Sequence, residues 1–102
     1  MLKLKPNPTF TVPVTIPVPG GGDTAIEITV KHMGRAALRA FLDEAKDRDD
    51  LSNVSGFVVD WRGVDVGFSQ DALASLLDDY PLAATAMLDA YLAEIGRAAA
   101  KN

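Results

Sequence analysis

The chain contains no cysteine, which excludes disulfides, thiol nucleophiles and thiolate metal sites together. Histidine is nearly as scarce. His32 is the only one, and a metal site or a histidine-based acid–base pair needs partners at set spacings that this sequence does not offer. Positive charge is also in short supply: 10 Lys and Arg stand against 14 Asp and Glu, giving a net charge of −4. The basic residues are scattered, with no stripe to neutralise phosphates and no basic amphipathic segment, so nucleic-acid and membrane-surface binding are not expected. No run of apolar residues is long enough to span a bilayer. The opening Met1-Leu2-Lys3-Leu4-Lys5-Pro6 lacks the apolar core of a signal peptide, so a soluble protein that stays where it is made is expected.

What is present suits one compact domain over residues 1–102, since hydrophobic residues make up 48% of the chain and can bury a core. Phe10, Val12, Val14, Ile16 and Val18 fall on even positions, while Thr and Pro occupy the odd ones between. A period of two predicts a strand with one apolar face. Pro13 and Pro17 cannot donate ladder hydrogen bonds, so this must be an edge strand with those positions outward. Gly20-Gly21-Gly22-Asp23 supplies a turn, and Thr24 to Lys31 alternates again with Ile26, Ile28 and Val30 on one face. The two runs predict an antiparallel β-hairpin over about residues 8–31, with the outer edge of its second strand left open.

A helical part should follow over about residues 33–100, making an α+β fold of one hairpin and three to four helices. Ala37, Leu38, Phe41, Leu42 and Ala45 form a stripe at helical spacing between Met33 and Asp47. Leu51, Val54, Phe57, Val58 and Trp61 recur at steps of three and four, which predicts a second helix from Asp50 to Trp61, weakened by Gly56 and Val58-Val59. Ser69 is a good N-cap for a helix through Leu73, Leu76 and Leu77. Tyr80-Pro81 interrupts the pattern, and Pro81 suits the first turn of a final helix bearing Ala84, Met87, Leu88, Tyr91, Leu92 and Ile95 on one side. The closing Arg97 to Asn102 has the charge expected near a helix C-terminus.

Candidate chemistry is thin. His32 reads as a polar residue at the junction between strand and helix. The carboxylates at Asp43-Glu44, Asp47, Asp49-Asp50 and Asp78-Asp79 match no calcium loop, and read as a solvated face with Asp49 or Asp50 starting the next helix. The glycine triplet precedes a strand, where a phosphate-binding loop would precede a helix. Ser55 and Ser69 lack a nucleophile-elbow setting. No catalytic residue, cofactor or metal is therefore expected. Trp61, Phe68, Tyr80 and Tyr91 remain, each a core aromatic or a partner contact, with Phe68 placed to staple the helix that Ser69 caps.

The C-terminal half carries a further pattern. Val59-Asp60-Trp61-Arg62-Gly63-Val64-Asp65 leads to Phe68-Ser69, then Leu73, Leu76-Leu77, Tyr80-Pro81, Ala90-Tyr91 and a closing Lys101-Asn102. In this order and spacing the stretch resembles the tail assembly chaperones of long-tailed bacteriophages and prophages. In that family an acidic or polar residue precedes Trp, a Gly-Val-Asp-like loop leads to Phe-Ser, and Tyr-Pro punctuates two helices. The likeness covers residues 51–102 and, more loosely, the hairpin.

The resemblance implies a non-catalytic assembly factor, made in the host bacterial cytoplasm and absent from the mature virion. Its partners would be the long, helical tape measure protein, which it keeps soluble, and the major tail protein whose subunits it helps recruit. Many such proteins also exist in a longer, frameshifted form. Self-association into a homo-oligomer is left open. The alternative is a structural virion component such as a tail-terminator or head–tail connector protein. A small enzyme would need catalytic groups from a partner chain.

Overall fold

The computed structural model describes residues 1–96, in which two strands, two helices, a third strand and two more helices follow in order. Strands β1 (Thr9–Ile16) and β2 (Thr24–Lys31) form the expected antiparallel hairpin, with Val12 opposite Ile28 and Val14 opposite Ile26. Val12, Val14, Ile16, Ile26, Ile28 and Val30 are all buried, so one face of the sheet is the floor of the core. Pro13 is exposed on β1, an edge strand, where its missing N–H interrupts no ladder. Gly20, Gly21 and Gly22 all take positive φ (91°, 102° and 79°), a backbone path that no side-chain-bearing triplet follows without strain.

The second strand's outer edge is not open. A third strand, β3 (Val58–Arg62), pairs with it antiparallel, so the sheet order is β1-β2-β3 and β2 is central. The helix expected from Asp50 to Trp61 is therefore only α2 (Asp50–Ser55), closed by Gly56. The misleading spacing has a definite origin. Thr29 pairs with Asp60 and Val30 with Val58, so Val59 is an extra residue in a β-bulge. The bulge reverses the alternation, and Val58 and Trp61, three apart, both face the core. A spacing of three within a strand imitates a helical stripe. Val58-Val59 favours extended backbone, and an unpaired β2 edge rewards it with ladder hydrogen bonds.

The other helices lie close to expectation. Helix α1 (Arg35–Ala45) is peripheral, with only Phe41 buried and Leu42 left 42% exposed. Helix α3 (Gln70–Asp79) starts at Ser69, whose hydroxyl accepts from the Ala72 N–H at 3.0 Å. Helix α4 (Ala83–Ile95) lies against β1 and buries Ala83, Ala84, Met87 and Tyr91. Its first helical residue comes two positions after Pro81, which sits in the turn before it while Tyr80 is extended as a residue before proline must be. The stretch expected to end the last helix, Arg97 to Asn102, lies outside the described residues.

The core draws on both layers. Tyr91 and Phe57 stack at 4.4 Å between ring centroids, Phe10 stacks on Tyr91 at 6.3 Å, and Phe41 meets Phe57 edge-on at 5.9 Å. Phe41 is the anchor of α1, and the polar groups around it are matched. Arg48 lies over its ring at 5.0 Å and donates to the Phe41 carbonyl at 3.0 Å. Asn53, buried on α2, donates to the Ala45 carbonyl at 2.9 Å and accepts from Arg48 Nε at 3.1 Å. These side chains add donors to carbonyls in the last turns of α1, where the Arg48 N–H also bonds the Ala45 carbonyl at 3.2 Å.

Candidate functional site

A cleft opens where β3 leaves the sheet. Its floor is Trp61, 6% exposed, and its margins are the loop after β3 and one side of α3. The loop is built to stay in place. Gly63 takes φ +90° and passes so close to β2 that an added Cβ would lie 3.4 Å from the Ile26 Cα. Trp61 Nε1–H donates to the Val66 carbonyl at 2.9 Å, tying the far side of the loop to the floor. Phe68 meets the Trp61 ring edge-on at 5.2 Å, so the expected staple residue supports the indole from behind. Ser55 Oγ donates to Gln70 Oε1 at 2.8 Å, joining the end of α2 to the start of α3.

The open cleft has a volume of about 540 Å³, and a second hollow of about 290 Å³ continues it toward the end of the hairpin. The two share Val64, Asp65, Leu76 and Tyr80, so they form one trough. Ile16, Val18 and Ile26 line its hairpin end, and Val66, 54% exposed, stands at the other. The charged residues among those lining it are Asp65, Asp71 and Asp79, all exposed. No Lys or Arg is among the described lining residues. An apolar bed with a rim of carboxylates can hold another molecule by burial, with charge sorting what enters.

The four aromatics singled out from the sequence separate into two groups. Trp61, Phe68 and Tyr80 gather at the trough, the first and last lining it and Phe68 backing the indole. Tyr91 is on the other side of the core, fully buried between Phe57 and Phe10, with its hydroxyl donating to the Lys31 carbonyl at 2.8 Å. Burial pushes its phenol up to about 12. The sequence reading did not find Val64, Val66, Leu76 or the three rim carboxylates as a set. A signal was there in α3, where Ala72, Leu76 and Tyr80 recur at every fourth position beside Asp71, Ser75 and Asp79.

The other polar candidates serve local structure. Asp49 caps α2 by accepting from the Ser52 N–H at 2.8 Å, and hydrogen bonding from Ser52 holds its carboxyl below the ordinary value. His32 is exposed just after β2, and its backbone N–H donates to the Pro8 carbonyl at 2.9 Å. Among the described residues no group of three or more His, Asp and Glu is arranged to hold a metal ion, and no helix is long and apolar enough to cross a membrane.

Comparison with known proteins gives one family. A model described as phage tail assembly chaperone matches residues 1–102, the whole chain. No curated protein and no solved structure matches it.

Proposed function

Because the chain belongs to the phage tail assembly chaperone family, we propose that it binds the tape measure protein, keeps it soluble, and helps bring major tail protein subunits to it as the tail tube grows. It does this in the host bacterial cytoplasm, without catalysis, and leaves before the virion is finished. The observation that carries this reading is the family match over the full chain. The trough beside Trp61 supports it, because a protein that holds another needs a formed apolar surface.

The physical problem is solubility. A long helical protein with apolar stripes aggregates until something covers those stripes. A small partner offering an apolar trough covers a stripe as a helix laid in a groove. A net charge of −4 on each bound copy makes decorated complexes repel one another. Several copies on one long chain gain from multivalency, so each contact need only be modest, and growing tube subunits can displace them in turn.

Co-expression with the tape measure protein of the same phage or prophage tests the reading. The expected result is a soluble complex that co-purifies, with the tape measure protein insoluble when expressed alone. A tape measure protein equally soluble alone, with no complex recovered, overturns it. Mass spectrometry of intact virions should find none of this chain.

A further inference from the structure

We propose that the trough takes a helix of the partner protein whose apolar stripe is flanked by Lys or Arg, and that the flanking cations are what its rim selects. This rests on the protein-binding reading above and narrows it to one face and one chemistry.

Helix α3 offers the trough two parallel rows. Ala72, Leu76 and Tyr80, each half-buried, border the floor, while Asp71, Ser75 and Asp79 are exposed beside them. The loop repeats the theme, with Asp65 between Val64 and Val66. Such a surface suits a helix. Its apolar contacts recur every fourth residue along α3, the ridge that an incoming helix packs against. A peptide added as a β-strand would need main-chain pairing to a strand edge, and this trough is walled mostly by side chains of a helix and a loop.

From Ala72 to Tyr80 the row covers about 12 Å of helix axis, enough for about two turns of an incoming helix. Cations about seven or eight residues apart on that helix then fall opposite Asp71 and Asp79. A helix flanked by Asp or Glu meets three carboxylates and no cation from the lining residues. The trough is formed before the partner arrives, since Trp61, Val66 and the Ser69 cap already fix its walls, so little ordering is lost on binding.

Trp61 is the only tryptophan in the chain and forms the floor, so its fluorescence reports occupancy directly. The probes are two synthetic helical peptides of about twenty residues without tryptophan, sharing one Leu/Ala stripe, the first flanked by Lys and the second by Glu. The Lys-flanked peptide should shift Trp61 emission saturably, bind about tenfold more tightly than the Glu-flanked one, and weaken as salt rises. Charge reversal by Asp65→Lys with Asp79→Lys should invert the preference. The milder Asp71→Asn with Asp79→Asn should flatten it, and circular dichroism of both variants checks that the fold is kept.

Equal binding of the two peptides, no response of Trp61 to either, or an unaltered preference in both variants overturns the proposal. So does Trp61 emission that changes with the chain's own concentration, which marks a second copy as the occupant. Co-purification with the tape measure protein separates this idea from the broader one. If wild type and the charge-reversed variant co-purify equally well, the trough is not the docking face and the chaperone reading stands; if wild type fails to co-purify, that reading itself fails.

Discussion

The two aromatic clusters of this chain have similar members and opposite surroundings. Around Tyr91, rings from β1, α1 and α4 and Phe57, just after α2, close on one another, and both Tyr91 and Phe57 are completely buried. Around Trp61, the sheet, a loop and α3 meet on one side only, and the other side is a trough edged by carboxylates. The first cluster spends its surface on the fold. The second keeps surface available, and its fixed loop holds that surface in shape. The same residue types are thus sealed in one place and, on the proposal above, serve recognition in the other, and what separates them is which elements arrive to cover them.

The sharpest way to break the comparison is to cut into the sealed side. Tyr91→Ala should cost about 3–5 kcal/mol, because it opens a cavity between Phe57 and Phe10 and loses the bond to the Lys31 carbonyl. Denaturant titration measures this, and a loss under about 1 kcal/mol would mean that the stack is not closed. A smaller but still large effect is expected where α1 is fastened. Asn53→Ala should cost about 1–3 kcal/mol, because it leaves Arg48 Nε without its acceptor and takes from the Ala45 carbonyl one of the two donors it has. Hydrogen exchange should then show α1 opening before the sheet does.

These effects bear on how much of the molecule could be read in advance. The hairpin, its proline-marked edge and the Ser69 cap were legible because each depends on neighbours in the sequence. The strand β3 was not. Val58 and Trp61 share a face only because the bulge at Val59 shifts the alternation, and that bulge exists only against β2. Local spacing pointed to a helix, and pairing with a distant strand decided otherwise. The site was half legible for the same reason. Trp61, Phe68 and Tyr80 stood out as bulky aromatics, but that they meet in a trough, and that Tyr91 does not join them, follows from packing between elements far apart in the chain.

Removing one oxygen sharpens the contrast further. Tyr91→Phe keeps the stack and should cost about 1 kcal/mol for the lost hydrogen bond. It should also change the response to alkali. Burial raises the Tyr91 phenol from an ordinary 10.0 to about 12, so between those values the folded chain holds a proton that the unfolded chain has released. Stability from this group is therefore complete below pH 10.0 and declines as the pH climbs toward 12. Wild type should lose stability across that window and Tyr91→Phe should lose less. Parallel declines in the two proteins would show that the phenol is not held neutral by the fold.

The smallest expected effect on stability falls on the open side, and there the comparison is most exposed to test. Val66 is 54% exposed at the margin of the trough, and the fold uses its carbonyl, which accepts from Trp61, more than its side chain. Val66→Ser keeps that carbonyl, so stability should change by no more than about 0.5 kcal/mol. Binding should respond all the same, because the substitution removes apolar area that only a partner would cover; affinity for the Lys-flanked peptide should fall by about threefold to tenfold. The dissociation between the two measurements is the point. A sealed residue such as Tyr91 cannot lose binding without losing the fold, whereas a residue kept open for a partner can lose binding alone. Val66→Ser leaving both quantities unchanged would remove the loop from the recognition surface and leave α3 to carry it.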